Sequence, residues 1–113
     1  MPTDEDTAEE LYDRGVDLFA EGKYADAVRA YEAALEADPG LVDALHGLAM
    51  AHAETGDLEA AIGAAKRITE ASPDDPLGFT SLSMLYQRAG RIAEAEAAAN
   101  QARVLEWKAE LKK

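Results

Sequence analysis

The chain has 113 residues, no cysteine and a net charge of −12. Its length favours one domain with a modest core, and the lack of cysteine excludes disulfides, thiolate metal ligands and cysteine nucleophiles. An acidic protein repels nucleic acid and anionic lipid, so we expect neither as a partner. The polar N-terminus lacks the apolar run of a signal peptide, and no later stretch is apolar enough to span a bilayer. We therefore expect a cytoplasmic protein.

The charge is unevenly distributed along the chain. Residues 1–40 carry 12 acidic and 3 basic side chains, residues 41–75 carry 7 and 2, and residues 76–113 carry 4 and 6. The net charge therefore runs from −9 through −5 to +2. Runs of like charge usually form a solvated face, and we interpret most of the acidic excess in that way.

The predicted elements are six helices that follow an acidic, disordered N-terminus of residues 1–7. A capping box predicts the start of the first helix, because Thr7 suits the N-cap and Glu10 follows three residues later. This helix runs to about Glu21, where Gly22 supplies a left-handed stop. The second helix covers about residues 24–37, and a Pro-Gly pair follows it.

Two further helix pairs follow the first. The second pair covers about residues 42–54 and 57–71. The third pair begins with Asp75 as N-cap and Pro76 at the first helical position, where proline is favourable. After Gly90 nothing in the sequence interrupts the helix. The sixth helix should therefore have about twenty residues and extend to the end of the sequence.

A shift of thirty-four residues aligns the three helix pairs. The matching positions are Gly22, Gly56 and Gly90; Ala27, Ala61 and Ala95; Leu11, Leu45 and Phe79; and Pro39 with Pro73. A period of this length, with an internal glycine and a terminal proline, is typical of a two-helix solenoid repeat. Each helix is too short to be stable alone in water, so the helices must pack. The aligned alanines allow the two helices of a pair to approach closely.

This pattern resembles the tetratricopeptide repeat (TPR) family. The resemblance covers repeats at 8–41, 42–75 and 76–107, with a helical extension at 104–113. In each repeat a large residue is followed four residues later by a small one and three residues after that by another large one. These positions are Leu11, Gly15 and Leu18; Leu45, Ala49 and His52; and Phe79, Ser83 and Tyr86. The resemblance implies an all-α, right-handed solenoid of three helix pairs. It also implies a protein-interaction scaffold or adaptor without catalytic activity.

The first helix of each pair has a second apolar stripe, although an amphipathic surface helix needs only one. The additional stripe either packs inside the chain or binds something outside it. In the TPR family the first helices line a concave groove that holds a peptide or helix of another protein. Carried onto this sequence, the groove residues are Tyr12, Val16, Phe19, His46, Met50, Ala53, Leu77, Thr80, Met84 and Gln87. Methionine suits an adaptable groove. We expect an apolar protein segment as partner, and basic residues in it would suit the acidic chain.

One TPR ligand class is not expected. Some TPR domains bind the C-terminal carboxylate of heat-shock chaperones with lysine, arginine and asparagine side chains. The matching positions here hold Tyr12, Val16, Gly47, Leu77 and Ser81. None of these side chains supplies the charge or the amide, so we expect no binding of chaperone tails.

The two histidines do not form a metal pair, because His46 and His52 are six residues apart and lie on different sides of a helix. We expect His52 to be a buried or half-buried neutral side chain. His46 faces the groove, either as a plain polar lining residue or as a group sensitive to pH. No nucleophile–base pair, phosphate-binding glycine loop or zinc-ligand spacing occurs. We therefore expect no catalytic residues, metal or cofactor.

The extension of the sixth helix carries an apolar stripe of Val104, Trp107 and Leu111, which we expect on the opposite side from the inward-packing Ala95, Ala99 and Ala102. One alternative is that the tail packs its tryptophan on its own repeat, or frays. The other is that the stripe contacts another chain, because exposed apolar stripes with a tryptophan often mark interfaces. Contact with another chain gives the alternative function, a structural TPR unit that self-associates weakly through its long C-terminal helix. The acidic front and basic tail would suit head-to-tail contacts.

Overall fold

A computed structural model describes residues 6–113. These residues form the helices α1 (Ala8–Ala20), α2 (Tyr24–Ala37), α3 (Val42–Thr55), α4 (Leu58–Ala71), α5 (Pro76–Arg88) and α6 (Ile92–Leu111). No strand occurs in this part of the chain. The prediction of an all-α solenoid of three helix pairs is confirmed. The boundaries of α1 to α4 lie within one residue of their predicted positions, and α6 ends at Leu111, two residues before the predicted end. None of the helices in residues 6–113 has the length and apolarity needed to cross a membrane.

Side-chain caps determine where three of the helices begin. Thr7 Oγ1 accepts a hydrogen bond from the backbone N–H of Glu10 at 3.1 Å, as the capping box predicts. Asp57 and Asp75 cap α4 and α5 in the same way, accepting from first-turn N–H groups at 3.1 and 2.9 Å. These bonds satisfy N–H groups that have no partner within their own helix.

The N-terminal segment differs in part from the prediction of disorder for residues 1–7. Residues 1–5 lie outside the described part of the chain. Thr7 is instead ordered as the cap of α1. Asp6 lies 3.8 Å from the guanidinium of Arg14, in the second turn of α1. The described structure therefore begins one residue before the cap.

A glycine in the left-handed conformation separates the two helices of every pair. Gly22, Gly56 and Gly90 have φ angles of 78°, 89° and 77°, and no other described residue has a positive φ. The residue after each glycine donates its backbone N–H to a carbonyl five residues earlier, at 2.9, 3.0 and 2.8 Å. These bonds are those of a Schellman motif, which glycine permits because it lacks a β-carbon. The predicted stops are confirmed.

The core lies where the second helix of each pair crosses the first. Ala27, Ala61 and Ala95 are at most 1% exposed, as expected for small residues at a close helix crossing. The largest fully buried side chains are Leu45, Ile68 and Leu85. One continuous apolar cluster runs through all three pairs. The repeats therefore share a single core, which individual short helices need for stability.

Glycines also allow the repeats to pack on one another. The ring of Tyr31 in α2 lies against Gly15 of α1 and Gly47 of α3, where an added β-carbon would stand 2.6 and 2.5 Å from ring carbons. At the next junction, a β-carbon on Gly78 of α5 would stand 3.0 Å from the Ile68 side chain of α4. The first helix of each following pair thus contacts the preceding pair through a glycine.

An exposed ion-pair cluster joins the second and third repeats. Arg91 lies 2.7 Å from a carboxylate oxygen of Glu94 and 3.0 Å from one of Glu59. Its guanidinium also lies 5.0 Å from the centre of the Tyr86 ring. The hydrogen bond from Arg91 lowers the pKa of Glu94. Arg91 therefore connects α6 with the start of α4 as well as with its own repeat.

Candidate partner-binding groove

The candidate groove runs over the first helix of each pair, α1, α3 and α5. Helix α3 contacts α1 as well as α2. At the other end, Arg88 of α5 donates to the backbone carbonyl of Ala53 in α3 at 3.5 Å. The three apolar stripes predicted from the sequence therefore lie on neighbouring helices.

In the first repeat, two of the three predicted groove residues pack inside the chain. Tyr12 lies against Tyr31, with ring centres 5.9 Å apart. Phe19 meets the edge of Tyr24 at 5.0 Å. Both side chains are half-buried on the core, whereas Val16 remains 40% exposed. Val16 is thus the most accessible apolar member of the stripe on α1.

In the second repeat, the stripe is largely covered. His46 and Met50 are half-buried, and Ala53 is only 3% exposed. The assignment of Ala53 to the groove is wrong, because the third repeat packs over it. His52, on the other side of α3, is half-buried as expected. The accessible lining in this repeat consists of parts of His46 and Met50.

In the third repeat, the stripe is open. Leu77 and Met84 are 59% and 44% exposed, and Thr80 and Gln87 are also exposed. Thr80, Met84 and Gln87 line one side of a hollow of about 300 Å³, and α6 lines the other. The stripe therefore meets a second surface here that the sequence did not predict.

The α6 side of this hollow consists of Ala99, Arg103 and Glu106, together with the buried Ala102. Residues 99, 103 and 106 have the i, i+4, i+7 spacing of one helical face. That spacing could have identified them. The predicted stripe of Val104, Trp107 and Leu111 lies on an adjoining side of the same helix.

Exposed carboxylates border the accessible apolar residues. Asp13 and Glu9 lie one and two turns before Val16 on α1 and are exposed, as is Asp43 at the start of α3. The groove is therefore apolar at its centre and acidic along its edge. Within residues 6–113, no group of three histidine, cysteine, aspartate or glutamate side chains could hold a metal ion.

Most of the exposed apolar surface lies in the third repeat. The exposed large hydrophobic residues among residues 6–113 are Val16, Leu77, Met84, Ile92, Val104, Trp107 and Leu111. All except Val16 belong to α5 or α6. Trp107 is 62% exposed on a helix that continues to Leu111, so it does not pack onto its own repeat.

Comparisons with known proteins agree with this architecture. A family model described as tetratricopeptide repeat matches residues 12–76. Photosystem I assembly protein Ycf3 of Synechococcus sp. (strain CC9605) is 30% identical over 86 residues, which are 74% of this chain and 50% of Ycf3. The chain thus spans about half the length of that relative.

Two solved structures have the same fold. The crystal structure of MamA superposes with a TM-score of 0.87 at 23% identity, covering 95% of this chain and 62% of MamA. The second TPR of Spaghetti, bound to the HSP90 peptide SRMEEVD, superposes with a TM-score of 0.79 at 23% identity, covering 88% of this chain and 92% of that one. Because the family model also matches more than half of its residues, the chain belongs to the tetratricopeptide repeat family.

Proposed function

We propose that the protein is a non-catalytic adaptor whose groove holds an amphipathic helix or extended peptide of another protein. The observation that carries this proposal is the exposed apolar lining of the groove. Val16, Leu77 and Met84 remain 40–59% exposed on helices whose other apolar stripes are buried. An apolar helix face laid into such a groove is a recurrent mode of recognition.

The edge of the groove adds a preference for charge. Exposed carboxylates beside Val16 and at the start of α3 attract lysine or arginine residues that flank the apolar face of a partner. The protein as a whole, with a net charge of −12, repels acidic segments. The partner segment is therefore apolar on one face and basic at its margins.

Acidic peptides that end in a carboxylate do not suit this groove. Spaghetti binds SRMEEVD, an acidic peptide that ends in a carboxylate. In this chain the positions that match such a clamp hold Tyr12, Val16, Gly47, Leu77 and Ser81, none of which carries a positive charge. We propose that chaperone tails are not ligands.

A peptide titration tests the proposal. The probe is a labelled helical peptide with leucines at i, i+3, i+4 and i+7 and lysines elsewhere, compared with the same peptide carrying glutamates and with SRMEEVD. Fluorescence anisotropy should show binding of the lysine peptide alone. Its affinity should decrease with added salt, because exposed charges are screened.

Two valine substitutions distinguish binding in the groove from general electrostatic attraction between the lysine peptide and the acidic protein. Val16→Glu should weaken binding of the lysine peptide at least tenfold. Val104→Glu should leave it unchanged, because Val104 is 41% exposed, almost as much as Val16, but lies on α6 outside the groove. Both variants should keep the wild-type melting temperature. Equal weakening by both substitutions would count against the groove, as would unfolding by Val16→Glu.

A further inference from the structure

Each position in one repeat has an equivalent thirty-four residues away in the next repeat. In the second repeat, the face formed by α3 and α4 is covered by α5. Ala53, Ala65 and Ile68 on this face are at most 3% exposed, and Gly78 of α5 packs against Ile68. A solenoid repeat of this kind therefore receives one further helix on its end face.

The equivalent face of the third repeat is open. Shifted by thirty-four residues, Ala53, Ala65 and Ile68 become Gln87, Ala99 and Ala102. Gln87 is exposed and Ala99 is half-exposed, whereas Ala102 is 5% exposed at the base of the face. The hollow of about 300 Å³ lies between α5 and α6 at these residues. We call this surface the end face, formed by Thr80, Met84, Gln87, Ala99, Arg103 and Glu106. No helix among residues 6–113 covers it.

The chain does not turn back onto the end face where the earlier repeats do. Helices α2 and α4 end at Ala37 and Ala71, which both correspond to Leu105 in the third repeat. Helix α6 continues past Leu105 to Leu111. The segment that elsewhere leads into the next helix is thus itself helical, and it carries Trp107 in an exposed position.

At the opposite end of the solenoid, the outer side of α1 carries charged residues. On α3, Ala44, Leu48 and Ala51 face the preceding repeat and are at most 5% exposed. Their equivalents on α1 are Glu10, Arg14 and Asp17, all exposed. An apolar end face gains nothing by covering charged groups, which lose hydration when buried. Head-to-tail contact, which the sequence suggested, therefore does not complete the end face.

We propose that the end face binds the α6 tail of a second copy of this chain, in a two-fold symmetric dimer. In such a contact each copy supplies both partners of every interaction. This chain has both, an unfilled hollow and the exposed Trp107 beside it. A hollow of this size is at the lower end of ligand pockets and has room for an indole ring.

The charges around Trp107 suit an antiparallel pairing of the two α6 helices. Arg103 and Glu106 border the hollow, and Trp107 follows them on the adjoining part of the helix surface. In an antiparallel pair centred between these residues, Arg103 of each copy lies opposite Glu106 of the other, and each Trp107 reaches the other hollow. The ends that meet belong to the segment 76–113, whose net charge is +2. The acidic first repeats remain far apart.

The mass and the fluorescence of the single tryptophan test the dimer together. Sedimentation equilibrium should show a mass rising with concentration from 12.1 kDa to twice that value. Tryptophan emission should move to shorter wavelength over the same concentration range as Trp107 becomes buried. A mass that stays at one chain up to millimolar concentration would overturn the proposal, as would blue-shifted emission from the monomer.

Substitutions identify the surface. Trp107→Ala should raise the dimer dissociation constant at least tenfold, whereas Val104→Ala, on a neighbouring but different side of α6, should not change it. Arg103→Glu should weaken the dimer by repulsion from the partner's carboxylate, and adding Glu106→Arg should restore it. Circular dichroism checks that each variant is folded. The pairing would be refuted if the double exchange failed to restore the dimer affinity, or if Trp107→Ala left the dimer unaffected.

Discussion

A β-carbon on Gly47 would stand 2.5 Å from Cζ of Tyr31, so α3 can pass the ring only because residue 47 has no side chain. Gly15 of α1 approaches the same ring almost as closely, because an added β-carbon there would stand 2.6 Å from Cε1 of Tyr31. Tyr31 is 3% exposed. The junction between the first two repeats therefore depends on one aromatic ring and two glycines.

We predict that Gly47→Ala destabilises the protein by about 1–3 kcal/mol, the usual cost of overfilling a packed site. Urea unfolding provides the measurement. Gly63→Ala is the matched control, because Gly63 lies inside α4 and a β-carbon there would meet nothing within 4 Å. That substitution should stabilise by about 0.4–1 kcal/mol, since alanine reduces the entropy of the unfolded chain.

The same contact can be isolated by removing the ring. In a Tyr31→Ala background, Gly47→Ala should cost much less than in the wild type, since contacting residues give non-additive changes. An unchanged cost in that background would show that the effect arises in α3 itself and not at the ring.

We predict that Ala61→Leu costs about 1–3 kcal/mol, because Ala61 is fully buried at the crossing of α3 and α4 and cannot accommodate the extra volume. Ala93→Leu, at an exposed position early in α6, should change the stability by less than about 0.5 kcal/mol. Hydrogen exchange should show that all three repeats lose protection together. Loss confined to the second repeat would contradict the shared core.

We predict a smaller loss for Ser83→Ala. The hydroxyl of Ser83 is buried and donates to the backbone carbonyl of Ala95 at 2.9 Å, joining α5 to α6. Alanine fits the space, since Ala49 occupies the equivalent position in the second repeat. Only the hydrogen bond is lost, so thermal or urea unfolding should show about 0.5–1.5 kcal/mol. A loss above about 3 kcal/mol would indicate a packing defect instead.

We predict that stability falls at alkaline pH through Tyr31. Burial raises the pKa of the Tyr31 phenol above its ordinary value of 10.0, and Tyr12 raises it further. The neutral phenol is therefore favoured in the folded state. Its contribution is fully present below pH 10 and is lost as the pH rises through the folded-state pKa.

Tyr31→Phe keeps the ring and removes the ionisable group. Its free energy of unfolding, measured by urea denaturation between pH 8 and 11.5, should fall less steeply above pH 10 than that of the wild type. The other tyrosines are common to both proteins, so the difference between the two curves reports Tyr31. Parallel curves would assign the alkaline loss to another group.

Local spacing determined the helices and the repeat. Thr7 with Glu10, Asp75 with Pro76, and a glycine every thirty-four residues specify where helices begin and end, because caps and left-handed turns depend on a few neighbouring residues. The aligned alanines likewise marked the helix crossings. These features follow from backbone geometry and short-range hydrogen bonds, which the sequence encodes directly.

Only the tertiary structure decided which apolar residues are accessible. Val16, Met50 and Met84 occupy the same position in the three repeats, and the sequence gives no reason to treat them differently. Met50 is half-buried because the third repeat adjoins it, whereas Met84 is 44% exposed beside an open hollow. The burial of a side chain depends on neighbours that are distant in sequence. Residues at equivalent positions of the repeats can therefore differ in exposure. For the same reason spacing alone could not separate Ala53, which lies in the core, from the groove, nor show that Trp107 lies beside an unfilled end face.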